Sequence, residues 1–230
     1  MKIAISQSNY LPWRGYFDLI KSVDEFIFFD EVQFTRRDWR NRNLIRKGNQ
    51  KKWITLSLQN KGNYNEIISN MNVLDKNWKV SHLNILKQCY SKCKYFDEIY
   101  YLFESFFSKI NTNKLSEINK SIILEICNYL DIKTKLSDSI EFKKSSKNST
   151  ASERLLEILI DRGASVYFTG PSAKNYLDEK IFTNNNISIN WFNYGKSKIY
   201  NQPYNDFFAD LSIVDCLMNC GKDSNKFLNY

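Results

Sequence analysis

The sequence predicts an α/β fold, with a Rossmann-like parallel sheet and a helical insert. Short apolar runs of strand length alternate with segments of helical spacing at both ends of the chain. Between residues 75 and 132 the periodicity is helical only. The length of 230 residues suits a single α/β domain. We therefore expect one domain over residues 1–230, with residues 75–132 as a helical insert or cap.

The first thirty residues predict a strand, a helix and a second strand. Residues 2–6 form a short apolar run, and residues 7–12 form a polar turn. Trp13, Phe17, Ile20 and Val23 are spaced as on one helical face. Residues 25–29 are again apolar, so this order predicts the start of a parallel sheet.

The middle of the chain predicts a loop, a third strand and three helices. Residues 31–51 are polar and rich in arginine, which favours a loop, and residues 52–58 favour a strand. An exposed loop is expected at residues 59–66, a strand at 134–142 and a polar loop at 143–150.

The last third alternates again between helical and strand patterns. Helices are expected at residues 152–162, 173–182 and 206–219, and strands at 165–169 and 187–194. Gly163 suits the end of the first of these helices. Ser172, in the tight turn at residues 170–172, suits the N-cap of the second.

The basic excess is concentrated in one segment. The chain has 33 Lys and Arg against 25 Asp and Glu, a net charge of +8. Between residues 36 and 52, Asp38 is the single acid. The eight basic residues of this segment are Arg36, Arg37, Arg40, Arg42, Arg46, Lys47, Lys51 and Lys52. A local excess of this kind favours a pocket for one anionic substrate over a nucleic-acid surface.

Cysteine usage and hydropathy indicate a cytoplasmic protein. The five cysteines are too few and odd in number for a disulfide framework. With one histidine they predict no metal site, because no zinc-ligand spacing is present. No apolar run reaches the roughly 18 to 20 residues of a membrane span, so none is expected.

The turn after the first strand is the first candidate binding site. Polar turns at the carboxyl ends of parallel strands are where α/β folds place ligands, and the amides that start the next helix can hold an anion. The alternative is a structural turn with a packed tryptophan. The candidate residues in this turn are Gln7, Asn9, Tyr10, Trp13 and Gly15.

The arginine segment is the second candidate. Arg36, Arg37, Arg40 and Arg42 surround Trp39. Guanidinium groups suit phosphate or carboxylate, and an indole can stack on a base or a sugar. A solvated basic loop is the alternative.

Two residues are candidates for the general base. His82 is the only histidine, and Asp30 ends the second predicted strand. An imidazole titrates near pH 7, which suits the removal of a proton from an amine or a hydroxyl. The alternative for a lone histidine is a structural or exposed position.

The last third adds a second turn and a buried carboxylate. Gly170, Ser172 and Tyr176 follow the strand predicted at residues 165–169 and are candidates for substrate binding. Asp215 lies among apolar helical residues. Because a buried carboxylate needs a partner, the arginines are expected to supply one.

The first turn resembles the HxGH motif of nucleotidylyltransferases. Trp13-Arg14-Gly15-Tyr16 occupies the place of that motif, but Arg14 and Tyr16 replace both histidines. The resemblance implies a Rossmann-like geometry. It leaves ATP with Mg²⁺ open as the cofactor.

The whole chain resembles the WbqC-like protein family. The resemblance depends on MKIAISQSNYLPWRGYFDLI, DEVQFTRRDWRNRN, KVSHL, YFTGPSAKNYLDE and LSIVDCLMNCGKDS, which occur in the expected order over nearly the whole length. It implies a place in bacterial clusters for O-antigen and related surface polysaccharides. A glycine transferase that acts on an amino sugar has been proposed for this family, so the resemblance implies the same activity here. The family has no established catalytic residues that could be assigned to positions of this sequence.

Three functional hypotheses follow. The first is a transferase that modifies a nucleotide-linked amino sugar, with that phosphorylated small molecule as its partner. The second is an ATP-binding, adenylate-forming or nucleotidylyltransferase-like enzyme. The third is a non-catalytic binding protein of a polysaccharide assembly complex. A homodimer is left open, and nucleic acid is the least favoured partner.

Overall fold

A five-stranded parallel sheet forms the centre of the computed structural model, which describes residues 1–59, 65–142, 150–204 and 206–230. Its strand order is β5-β2-β1-β6-β7, and every neighbouring pair is parallel. The five strands are β1 Lys2–Ser6, β2 Glu25–Phe28, β5 Lys135–Asp138, β6 Val166–Thr169 and β7 Ser188–Trp191. The predicted α/β class with a parallel sheet is confirmed.

Helices cover both faces of the sheet. The α-helices of the described residues are α1 Arg14–Lys21, α2 Trp78–Tyr90, α3 Phe96–Lys109, α4 Leu115–Tyr129, α5 Ala151–Asp161, α6 Glu179–Asn184 and α7 Ile213–Cys220. Ala4 and Phe26 lie in one core cluster with residues of α1, α2, α3, α4 and α7. Ile3 and Ile27 lie in a second cluster with residues of α5 and α6. Alternate residues of each strand therefore face different helical layers, as the two-residue period of a strand requires.

The three helices predicted between residues 75 and 132 are confirmed as α2, α3 and α4. They contribute to the same core cluster as α1 and one face of the sheet. The division of the chain into one domain with an insert or cap stays a prediction.

Residues 42–55 form an antiparallel hairpin rather than a loop followed by a sheet strand. Strand β3 Arg42–Lys47 pairs with β4 Gln50–Thr55. Gly48 has a φ of +62° at the first position of the two-residue turn, which suits a hairpin turn of type II′. The expected loop at residues 31–51 is therefore wrong from residue 42 onward, because the Gly48-Asn49 pair reverses the chain.

Other predicted boundaries also differ. Residues 171–175 form a 3₁₀ turn whose N-cap is Gly170, and α6 begins after the N-cap Asp178. Ser172 caps neither of them, so its predicted capping role is wrong. Helix α7 begins only at Ile213, after the N-cap Ser212. Residues 60–64 and 143–149, within two predicted polar loops, lie outside the described residues.

Candidate functional site at the switch point of the sheet

The strand order reverses between β1 and β6. From β1 the chain continues to β2 on one side, whereas from β6 it continues to β7 on the other side. In open parallel sheets this switch point leaves a crevice at the carboxyl ends of the strands, where ligands bind. A cavity of about 470 Å³ lies at this place. We call it the switch-point cavity.

The switch-point cavity is lined by hydroxyl, amide, aromatic and guanidinium groups. The lining residues with such groups are Ser6, Gln7, Asn9, Trp13, Tyr16, Phe29, Trp39, Arg40, Tyr167, Thr169, Ser172, Tyr176 and Tyr194. None of the described lining residues is Asp, Glu or His. Burial raises the pKa of Tyr16, Tyr176 and Tyr194, so these hydroxyls stay neutral hydrogen-bond donors near pH 7.

Of the five residues predicted for the turn after β1, three line the cavity: Gln7, Asn9 and Trp13. The Tyr16 hydroxyl donates to the Gln7 carbonyl at 3.0 Å, and the Asn43 amide donates to the Tyr10 carbonyl at 3.2 Å. The turn is therefore fixed from both of its ends.

Asp30, two residues after β2, holds this turn. Its buried carboxylate accepts from the Ser8 backbone amide at 2.8 Å and from the Ser116 hydroxyl, and it lies 3.8 Å from the Lys120 ammonium. Asp30 does not belong to the cavity lining. Its described contacts are those of a structural anchor, and its predicted role as a general base stays a prediction.

Helix α1 brings Trp13 to the cavity and turns Arg14 away from it. A Cβ on Gly15 would overlap with the Trp13 indole, so the glycine makes room for this ring. The Arg14 guanidinium instead donates to the carbonyls of Lys198 and Phe227, at 2.9 and 3.2 Å. Arg14, which replaces the first histidine of the HxGH motif, therefore binds backbone carbonyls of the protein itself.

The arginine segment does not converge on one point. Arg40 lines the cavity, donates to Asn9 and lies 3.5 Å from the Asp38 carboxylate. Arg42 stacks over the Trp53 ring at 4.1 Å. Arg36 and Arg37 are exposed, and neither lines the cavity. Of the four predicted arginines, the structure thus brings Arg40 to the site.

The turn after β6 forms the opposite wall of the cavity. Gly170, Ser172 and Tyr176 all line it, as do Thr169 and Ala151 at the start of α5. The capping box of Thr150 and Glu153 fixes this first turn of α5. The cavity therefore lies between the ends of β1 and β6 and the start of α5.

His82 lies in a separate buried contact between α2, the first turn and β4. Its Nδ1 is 2.6 Å from the Tyr10 hydroxyl and its Nε2 is 3.2 Å from the Thr55 carbonyl. Burial lowers the pKa of His82 to about 4, against smaller opposing effects of the Thr55 carbonyl and the Asp75 charge. Neither His82 nor Tyr10 lines the cavity.

Asp215 belongs to another buried group, the Arg46 network, defined as Arg46, Tyr90, Tyr200, Gln202 and Asp215. Asp215 accepts from the Tyr200 hydroxyl at 2.7 Å and from the Gln202 amide at 2.8 Å. Arg46 donates to the Gln202 side-chain oxygen at 2.8 Å. Burial raises the pKa of Asp215, whereas the hydroxyl donors and Arg46 oppose this shift. The hydrogen bonds to Asp215 thus come from Tyr200 and Gln202, and the positive charge that acts on it is that of Arg46, from β3, which bonds to Gln202. Asp215 does not line the cavity.

The described cysteines are all free, and no group of three or more His, Cys, Asp or Glu among the described residues could hold a metal ion. Within the same ranges, no helix combines the length and the apolar composition needed to cross a bilayer.

Comparison with known proteins identifies the family. The sequence profile of the WbqC-like protein family matches residues 7–227. The chain belongs to the WbqC-like protein family. A relative from Mycobacterium tuberculosis, the uncharacterized protein Rv1507c, is 39% identical over 230 residues, which cover 100% of this chain and 98% of the relative. No solved structure matches the chain.

The WbqC-like chain also uses residues that the sequence did not indicate. Asn119 of α4 donates to the Ser8 hydroxyl at 3.2 Å and to the Arg40 carbonyl at 2.8 Å, so it fixes both polar segments. Its position among Leu115, Ile118 and Ile122 on a buried helix face was the available signal. Tyr194 lines the cavity from the segment after β7, and its place at the end of the strand predicted at residues 187–194 was the available signal.

Proposed function

We propose that this WbqC-like protein is a transferase that binds a nucleotide-linked amino sugar in the switch-point cavity and acylates the sugar amine, with glycine as the acyl group. The observation that carries the proposal is the cavity itself. It combines one guanidinium, two side-chain amides and several aromatic rings at the place where parallel sheets bind nucleotides. The place of the family in surface-polysaccharide clusters, which the sequence resemblance implies, supports the sugar as substrate.

The size and the chemistry of the cavity suit such a ligand. Its volume of about 470 Å³ lies within the roughly 300 to 1,000 Å³ of small-molecule sites. Arg40 offers a fork of donors for a diphosphate. Gln7, Asn9 and Ser172 offer donors and acceptors for sugar hydroxyls.

The proposed reaction forms an amide. The amine nitrogen bonds to the carbonyl carbon of an activated glycyl donor, such as a thioester. The bond from that carbon to its leaving group breaks, and the leaving group keeps the electron pair. The proton lost by the amine passes to the leaving group or to water.

The cavity residues would act by positioning and by hydrogen bonding. No described lining residue is a carboxylate or an imidazole, so we assign no general base to the lining. Holding the amine against the donor carbonyl converts a bimolecular step into an effectively unimolecular one. The neutral hydroxyls of Tyr176 and Tyr194 are suitable donors to the carbonyl oxygen as it gains charge. The predicted catalytic roles of His82 and Asp30 are not needed for this step.

The test combines binding with product analysis. The ligands are nucleotide-linked sugars with a free amine, and the same compounds with the amine acetylated. We expect calorimetry to detect binding of at least one free-amine compound. With a glycyl thioester present, mass spectrometry should find one glycyl residue added to the free-amine sugar and none added to the acetylated control.

A pair of arginine variants connects the activity to the cavity. Arg40→Ala should weaken nucleotide-sugar binding by about 10- to 100-fold, because a charge-assisted hydrogen bond contributes roughly 1.5 to 3 kcal/mol. Arg37→Ala is the control, since Arg37 is exposed in the same segment and does not line the cavity. Equal losses in both variants would contradict a phosphate contact at Arg40.

Other outcomes would favour the alternatives. Binding without turnover would support a non-catalytic binding protein. Release of pyrophosphate from ATP and Mg²⁺ with an acid substrate would support an adenylate-forming enzyme. The position of Arg14, whose guanidinium donates to backbone carbonyls inside the fold, disfavours phosphate binding by that side chain.

A further inference from the structure

Two tryptophans lie together where the cavity meets solvent. Trp39 and Trp53 are each 41% exposed, which is unusual for large aromatic side chains. Their ring centroids are 5.4 Å apart, and the ring planes are tilted by 39°. Trp39 also lines the switch-point cavity, whereas Trp53 does not. The pair therefore extends the cavity wall outward along the hairpin.

The position of Trp39 is fixed before any ligand arrives. Its carbonyl accepts from the Tyr10 amide at 3.1 Å, and the next carbonyl, of Arg40, accepts from Asn119 at 2.8 Å. Arg42 stacks on Trp53 at 4.1 Å and donates to the Arg37 carbonyl at 2.5 Å. These bonds fix the backbone at Trp39, and its exposed ring packs against Trp53. A ring held in this way loses little conformational entropy on binding, which makes it a good contact surface.

We propose that Trp39 is the subsite for the nucleobase of the ligand, and that Trp53 and Arg42 are positioning residues that hold its indole. This inference depends on the proposed function, because it assigns one end of the proposed substrate to one part of the site. Arg40 follows Trp39 directly and lines the same cavity, so a base stacked on Trp39 has its phosphates next to this guanidinium. The sugar then points toward the turn at Gly170.

A flat base fits this surface better than a sugar ring. The Arg42 guanidinium lies 4.1 Å over the Trp53 ring, and Trp53 packs against Trp39 at a tilt of 39°. A further π-face can extend this aromatic cluster, because every base offers one. The Arg42 cation over Trp53 holds that ring in place, so it supports the Trp39 face against which a base would stack.

The test uses nucleoside diphosphates, inorganic pyrophosphate and a hexosamine 1-phosphate as probes. Binding is measured by calorimetry and by quenching of tryptophan fluorescence. Trp39→Ala should weaken nucleoside diphosphate binding by about tenfold or more, since base stacking contributes roughly 1 to 3 kcal/mol per base. Pyrophosphate binding should stay unchanged. Trp39→Phe should restore most of the affinity, because a phenyl ring still stacks.

Two further variants test the assignment: Tyr101→Ala is the control, and Trp53→Ala tests the positioning role of the second tryptophan. Tyr101→Ala removes a 71% exposed aromatic ring from α3, outside the cavity lining, and should leave all affinities unchanged. Trp53→Ala should reduce nucleoside diphosphate affinity by less than Trp39→Ala does. It should keep part of the fluorescence quenching, because Trp39 is still present. Thermal unfolding of each variant shows whether its fold is intact.

The failure of this inference differs from the failure of the proposed function. If Trp39→Ala weakens pyrophosphate and nucleoside diphosphate equally, or weakens only the hexosamine 1-phosphate, the base subsite is wrong and the transferase proposal is unaffected. Full affinity of Trp39→Ala for the nucleoside diphosphate would likewise overturn it. If the wild-type protein binds no nucleotide sugar and no nucleoside diphosphate, the proposed function fails, and the base subsite fails with it.

Discussion

The switch-point cavity and the Arg46 network contain similar side chains in opposite situations. Both combine an arginine, amides and tyrosines with aromatic neighbours. In the Arg46 network most of the polar groups bond to one another, and Asp215 and Arg46 are almost fully buried. In the cavity the side chains of Gln7 and Ser172 line open space, and Asn9, which accepts from Arg40, lines it as well.

This difference shows what residue type alone does not reveal. A polar side chain between apolar residues signals that its partners must exist, because an unpaired buried polar group is costly. It does not tell whether the partner is another side chain or a ligand. For Asp215 the partners are Tyr200 and Gln202, so we assign it to stability.

The largest expected effect is on stability, at Asp215. Asp215→Ala should lower the free energy of unfolding by about 2 to 4 kcal/mol, because it leaves the buried Tyr200 hydroxyl and the Gln202 amide without this acceptor. Urea unfolding measures the change. Asp210→Ala is the matched control, since Asp210 is half exposed in its ion pair with Lys51 and should contribute at most about 1 kcal/mol.

Ligand binding separates the two regions in the same variant. A folded Asp215→Ala protein should keep the affinity of the wild type for the nucleotide sugar, because Asp215 does not line the cavity. A large loss of affinity with little loss of stability would reverse the assignment and would place Asp215 in the ligand site.

The sequence predicted most of the fold because its signals are local. The strand at residues 2–6 and the three helices between 75 and 132 follow from apolar periodicity. The hairpin was missed because the arginines of residues 36–46 suggested a loop, although Gly48-Asn49 is itself a turn signal. The start of α7 was placed too early because Phe207 and Phe208 continue the apolar pattern although they lie outside the helix.

The candidate site was only partly predictable, since side-chain direction depends on tertiary contacts. The first turn and the turn at Gly170 were placed at the site because the carboxyl ends of neighbouring strands meet. The arginines were grouped because they are close in sequence. Strand β3 begins at Arg42, whose side chain lies over Trp53, whereas Arg40 precedes the strand and lines the cavity. His82 could not be placed, because its partners Tyr10 and Thr55 are far away in sequence.

The second prediction concerns His82, a further buried contact outside the cavity. Burial lowers the pKa of His82 to about 4 in the folded state, against roughly 6.5 when unfolded. The unfolded state therefore binds more protons between these values, so stability falls as the pH drops below about 6.5. The expected loss between pH 7 and pH 5 is about 2 kcal/mol.

Urea unfolding at several pH values tests this contribution. His82→Gln removes the group, so the difference in stability between wild type and variant should shrink as the pH falls from 7 to 5. A difference that is constant over this range would mean that His82 is not buried in its neutral form.

The third prediction concerns Gly15, which makes room for Trp13 at the cavity wall. Gly15→Ala places a Cβ against the indole, so the ring must move. Overpacking of this kind costs about 1 to 2 kcal/mol and should also weaken nucleotide-sugar binding. Gly170→Ala is the control for stability, because a Cβ there meets no atom closer than the Tyr194 hydroxyl at 3.5 Å. Unchanged ligand affinity in Gly15→Ala would exclude Trp13 from the ligand contacts.

The smallest expected effect is at Thr150, which caps α5 beside the cavity. Its hydroxyl accepts from the Glu153 amide at 3.2 Å, and the Glu153 carboxylate accepts from the Thr150 amide at 2.6 Å. Thr150→Ala should cost about 1 kcal/mol in urea unfolding, and Thr150→Ser should cost little, because serine keeps the cap. Ligand affinity should hardly change, since the polar lining lies on other elements. The contrary result is a loss of nucleotide-sugar binding in Thr150→Ala as large as that in Arg40→Ala. That result would mean that the backbone amides at the start of α5 contact the ligand, so the cap of α5 would belong to the binding surface as well as to the stabilising contacts.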